Sequence, residues 1–157
     1  MKKIVDKVLG NFLVLLMAVI TLDVLWGVFT RYVMGSQAGW SEELARFLLI
    51  WVGVLGAAYA TGQGLHLSID LLQPKLEAQK RRNLQVFIHS LIAVFAFAVF
   101  VIGGGRLIYI TYYLGQFSPA LRLPMSLVYS ALPLAGLLIT FYKIHAIRNI
   151  RTLPATA

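Results

Sequence analysis

Few residues in this sequence have types that could do chemistry, and most of those sit at helical intervals. Asp23 is an acid within an apolar run that extends from Leu9 to Val33. At about 1.5 Å per residue it would lie well inside a bilayer, where a carboxylate is a candidate for proton coupling. In its structural reading Asp23 pairs with Arg46 or a neighbouring hydroxyl, or is simply protonated. Glu42, Glu43 and Arg46 form a second group, with Arg31 across the intervening turn. Glu42 and Arg46 are spaced i, i+4 with the acid first, the favourable order for a helical ion pair. An exposed pair of this kind contributes little. A partly buried one could grip a partner subunit. The histidines are His66, His89 and His145. Two axial histidines inside a four-helix bundle could bind haem, but His66 falls outside the apolar runs and the other two lie near the ends of theirs. There is no phosphate-binding loop, no zinc spacing and no nucleophile beside a base, so the chain does not read as an enzyme. With no cysteine, disulfides and thiolate-held metals are excluded.

The elements that must position these residues follow from composition. Of 157 residues, 59% are hydrophobic and 13% charged, more apolar surface than one soluble core could hide. The apolar residues fall in four blocks, about Leu9–Val33, Leu44–Gly62, Leu84–Tyr113 and Pro124–Ala146. Each is long enough to cross a bilayer, and lipid requires the backbone to satisfy its own hydrogen bonds. The expected fold is an all-α integral membrane protein of four transmembrane helices, one domain over residues 1–157 with a short interfacial segment between the second and third spans. The basic start, Met1-Lys2-Lys3, resembles a signal peptide, but the run behind it is too long and lacks a small-residue cleavage site, so it should remain as an anchor.

Net charge is +8, and ten of the fourteen basic residues lie in three places: Lys2, Lys3 and Lys7; Lys75, Lys80, Arg81 and Arg82; Lys143, Arg148 and Arg151. These are the N-terminus, the loop after span two and the C-terminus, which share one side of a four-span protein. The positive-inside rule places that side, and both termini, in the cytoplasm. The basic clusters set topology and can meet anionic membrane lipids. With no soluble domain to carry it, a nucleic-acid role is not expected.

Local signals refine the spans. The turn Met34–Gly39 leads into Trp40, an interfacial anchor, and into Ser41, which suits an N-cap, followed by Glu42 and Glu43 at the positive end of helix two. Gly53, Gly56, Ala57, Ala60 and Gly64 give that helix a small-residue face. Such a face admits another helix closely, whether from this bundle or from another protein. Residues 65–74, with His66 and Asp70, should lie along the interface, and Pro74 should open helix three. Gly103–Gly105 and Arg106 should tilt or break span three, and Tyr109, Tyr112 and Tyr113 should form an aromatic belt. Pro124 should start span four and Pro133 kink it.

These residues resemble the small membrane subunit of tripartite ATP-independent periplasmic transporters. The likeness lies in Arg31-Tyr32, in Trp40-Ser41-Glu42-Glu43-Leu44-Ala45-Arg46, in Trp51 and in Gly56-Ala57-Ala58-Tyr59-Ala60. His66, Asp70, Lys80-Arg81-Arg82, Pro124, Tyr129, Pro133 and Gly136 continue it. The resemblance implies a scaffold subunit in a bacterial inner membrane, part of a sodium-coupled symport of organic anions such as dicarboxylates or sialic acid. A periplasmic binding protein would deliver the substrate, and a large membrane subunit would hold the substrate and sodium sites, leaving no cofactor in this chain. It carries a partner-facing role onto Glu42, Glu43 and Arg46 and assigns none to Asp23. A partner interface would comprise these residues with Arg31, Trp40, Gly53, Gly56, Ala57 and Ala60. A free-standing proton-coupled exporter using Asp23 and a haem-binding membrane anchor are the alternatives.

Overall fold

A computed structural model of the protein describes residues 2–36, 38–64 and 78–152. The elements are α1 (Lys2–Val33), α2 (Gly39–Gly62), α3 (Ala78–Ala96), a π-helical stretch (Phe97–Gly103), α4 (Gly104–Tyr113), α5 (Met125–Tyr129) and α6 (Ala131–Thr152). Among the described residues, four helices are long and apolar enough to cross a membrane: Lys2–Val33, Gly39–Gly62, Gln79–Tyr113 and Met125–Ile150. The interfacial segment expected at residues 65–74, including His66 and Asp70, lies outside the described residues.

The helices form a row in which α1 packs on α2, α2 on α6, and α6 on the third span. Alanines and glycines make the central contacts possible. Ala58 of α2 and Ala131 and Ala135 of α6 are fully buried, and with Leu9, Leu55, Ala96, Ile139 and Tyr142 they mark the core. Small residues let backbones approach until van der Waals contact replaces lipid. Gly136 shows how close the approach is, since an added Cβ would stand 2.6 Å from Phe100 Cβ and 3.2 Å from the Ala96 carbonyl oxygen. A row leaves its outer helices wide faces of Leu, Val and Phe, which suits lipid or a neighbouring subunit.

Two local expectations are corrected. Ser41 does not cap α2. The helix begins at Gly39 with Ala38 in the N-cap position and no side-chain cap, while Ser41 Oγ donates across to the Asp23 carbonyl oxygen at 3.1 Å. A hydroxyl buried against α1 finds its acceptor on that neighbour. The glycines at 103–105 do not break span three. The chain stays helical, widening to π geometry over Phe97–Gly103, and Gly104 lies buried where a Cβ would sit 3.0 Å from Leu132 Cβ and Pro133 Cδ. The triplet serves a close crossing with span four. That span is interrupted at Ser130, between α5 and α6, four residues after Ser126 and three before Pro133. Pro133 has no N–H to offer the Tyr129 carbonyl, so the ladder parts there. Pro124 stands at the N-cap of α5, as its fixed φ suits.

Candidate functional site

The polar groups flagged by the sequence converge where α1 ends and α2 begins. Asp23, Gly27 and Thr30 are the buried residues of this part of α1, spaced i, i+4, i+7 on one face. Thr30 Oγ donates to the Gly27 carbonyl at 3.0 Å, a common way for a buried hydroxyl to satisfy itself in a helix. Asp23 is 6% exposed, and neither carboxylate oxygen has a hydrogen-bond partner among the described residues. The expected pairing with Arg46 is not made. Arg46 instead donates to Glu42 Oε1 at 3.1 Å, one turn along α2, with both side chains well exposed. The neighbouring hydroxyl, Ser41, meets the Asp23 main chain and leaves its carboxylate alone.

Glu42 and Glu43 are adjacent in sequence but opposite in placement, because successive residues on a helix point about 100° apart. Glu42 faces outward with Arg46 and, with Arg31, Ser41 and Ala45, lines a cleft of about 150 Å³. Glu43 faces inward and is 8% exposed. Its Oε2 accepts three hydrogen bonds, from Ser118 Oγ at 3.0 Å, Ala120 N at 2.9 Å and Leu121 N at 2.7 Å. The donors belong to the loop between the third and fourth spans, which closes on itself through Ser118 N to the Leu123 carbonyl (2.9 Å) and Met125 N to the Gln116 carbonyl (2.9 Å). Arg122 takes a positive φ of 52° at its tip. Glu43 is therefore a tie within its own chain, and the outward polar pair is Glu42 and Arg46. Sequence reading missed the Ser118 loop; its signal was a Ser-Pro pair and a second proline at 124, which mark a turn but not its acceptor.

The small-residue face of α2 points away from the bundle. A Cβ added at Gly53 or Gly56 would meet nothing within 4 Å, and Ala57 is exposed. The bundle instead uses Leu55, Ala58, Thr61 and Gly62 of that helix. Trp40 and Arg31 are exposed, as are Lys80 and Arg81 at the start of α3, with Arg82 half-buried. Tyr109, Tyr112 and Tyr113 are exposed near the end of α4, and the rings of Tyr109 and Tyr113 stack with centroids 6.3 Å apart. His89 and His145 line one cavity at the opposite end of the bundle, and His66 is outside the described residues. Among the described residues there is no cluster of His, Asp or Glu able to hold a metal ion.

The chain is similar to known proteins over most of this bundle. The C4-dicarboxylate TRAP transporter small permease protein DctQ of Rhodobacter capsulatus is 35% identical over 107 residues, 68% of this chain and 47% of that protein. The match thus spans about half the length of that relative. A putative TRAP transporter small permease protein of Haemophilus influenzae is 28% identical over 136 residues, 87% of this chain and 83% of its own. The sialic acid TRAP transporter small permease protein SiaQ of Vibrio cholerae is 29% identical over 103 residues, 66% of this chain and 60% of its own. Residues 12–153, which take in three of the four membrane-length helices whole and the first from residue 12 onward, match the DctQ component of the tripartite ATP-independent periplasmic transporters, and the chain belongs to that family.

Proposed function

We propose that this chain is the small, fixed subunit of a sodium-coupled, binding-protein-dependent importer of organic anions, packed against a large membrane subunit that holds the substrate and sodium sites. The observation that carries the reading is the open face of α2, where Gly53 and Gly56 meet nothing within 4 Å. Small residues gain over lipid only when another backbone comes close, so the face suits a helix from a second protein. The exposed Glu42–Arg46 pair and Arg31 lie at one end of the same helix hairpin and supply polar contacts for that partner or for a docked binding protein. The row-like packing supports a scaffold, since it broadens the membrane footprint of whatever it joins.

An organic anion is favoured because two relatives are named for C4-dicarboxylates and sialic acid, which share a carboxylate. The cluster of Lys2, Lys3 and Lys7 near the N-terminus and of Lys143, Arg148 and Arg151 near the C-terminus favours an inner-membrane protein with both termini cytoplasmic. The chain itself works without a cofactor and catalyses no covalent step. The exporter alternative draws no support from Asp23, whose carboxylate oxygens are buried and line none of the cavities described above. Co-expression with the large subunit tests the reading. A tagged chain should bring that subunit through purification, and sodium-driven uptake in liposomes should need both, together with the binding protein. Purification of the chain alone under conditions where the large subunit is intact in the same membrane would overturn it.

A further inference from the structure

At the end of the bundle that carries both termini, a cavity of about 390 Å³ opens between α1, α2, α3 and α6. Lys2, Gln85, His89, Lys143 and His145 are among the residues lining it, and none of the described lining residues is acidic. Lys143 is 4% exposed, and its ammonium makes no hydrogen bond or ion pair with the described residues. His89 Nδ1 is likewise buried without a hydrogen-bond partner. The acid nearest in sequence to Lys2, Asp6, is not among the lining residues; its Oδ1 accepts the hydroxyl of Tyr142, which does line the cavity, at 2.6 Å, and Asp6 itself lines a neighbouring cavity.

Lys143 is largely withdrawn from solvent beside a cavity with no acid among its described lining residues, and a cation so placed is costly unless an anion compensates it. The C-terminal turn of α2 forms one wall and brings the negative end of that helix to the cavity. A full positive charge still calls for an anion. A basic pocket between transmembrane helices near a membrane surface fits a phosphate headgroup, to which ammonium and imidazole donors make charge-assisted hydrogen bonds. We propose that this cavity binds a phosphate-type anion, with Lys143 as its counter-charge and His89 as a second donor. Two sources share that chemistry: the phosphodiester of an anionic phospholipid and free inorganic phosphate.

The full-length chain, purified, separates them. It is placed in nanodiscs of phosphatidylcholine with or without phosphatidylglycerol, and in neutral detergent with inorganic phosphate or chloride at equal ionic strength. Thermal unfolding and lipid retention by native mass spectrometry are the readouts. Phosphatidylglycerol that is retained and raises the unfolding midpoint, with phosphate inert, assigns the site to lipid; a rise with phosphate in detergent assigns it to the soluble anion. In either case Lys143→Met should weaken binding by about tenfold or more, the loss expected for a charge-assisted contact. It should still fold, since it removes a charge that no ion pair with the described residues compensates, and its midpoint in phosphatidylcholine should match or exceed that of the wild type. His89→Leu should weaken binding less, and Lys3→Met, an exposed charge at the same end, should bind as the wild type does. If neither anion raises the wild-type midpoint, or Lys143→Met responds as fully as the wild type, the proposal is overturned.

Discussion

Glu43 and Asp23 are both withdrawn from solvent, yet among the described residues only Glu43 has partners. Removing the Glu43 carboxylate takes away the acceptor of two backbone N–H groups and a hydroxyl in the Ser118 loop. Glu43→Ala should therefore lower the thermal unfolding midpoint of the isolated subunit by several degrees and release the Ser118 loop to proteolysis. Glu42→Ala breaks only an exposed ion pair and should shift the midpoint by less than about 3 °C. Equal effects of the two substitutions would mean that the inward and outward assignments are wrong. Asp23 predicts the reverse behaviour. A buried carboxylate with no hydrogen bond is a liability, so Asp23→Leu, similar in shape, should stabilise the fold by about 1–3 kcal/mol. Calorimetry of the variant checks this, and uptake by the assembled transporter should be retained. Loss of uptake with assembly intact would move Asp23 into the mechanism.

At the scale of elements, the two helices with exposed or buried glycines make a matched pair of tests. Gly136 of α6 lies where a Cβ would overlap Phe100 Cβ and crowd the Ala96 carbonyl, both fixed in the third span. Gly136→Ala should push the spans apart and destabilise the subunit by about 1–3 kcal/mol, the usual range for overpacking. Gly53 of α2 has open space, so Gly53→Leu should leave the isolated subunit folded as before while lowering copurification of the large subunit. A Gly53→Leu variant that assembles normally would remove α2 from the interface. The π-helical stretch and the glycines after it belong to the same crossing, and their register is matched to Pro133 and Gly136 on the facing helix.

At the scale of the whole molecule, the scaffold reading predicts that the chain carries no substrate by itself. Reconstituted into liposomes without the large subunit, it should show no sodium-dependent uptake of dicarboxylate or sialic acid above empty vesicles. Uptake by the lone chain would contradict the scaffold reading. The start of α1 and the last turns of α6 lie at one end of the row, since Lys2 and Asn149 line the same cavity. A reporter joined after Ala157 should be active only in the cytoplasm, and periplasmic activity would invert the orientation.

Much of this was legible without the fold. Long apolar blocks demand membrane-length helices whatever surrounds them, because an unpaired peptide group in lipid is too costly. The start at Pro124 and the interruption near Pro133 are likewise local, set by a residue's own backbone. What the sequence left open was rotation and partnership. Ser41 reads as a cap until α1 is placed beside it, and Glu42 and Glu43 are chemically equal until α2 turns one inward. The acceptor for the Ser118 loop lies 75 residues earlier in the chain, a pairing that no local pattern encodes. Whether Gly53 and Gly56 packed within the bundle or faced out depended on which side of α2 met α6. Helix formation is decided by short-range hydrogen bonding, but the facing of a helix is decided by long-range packing, and that only the tertiary structure could supply.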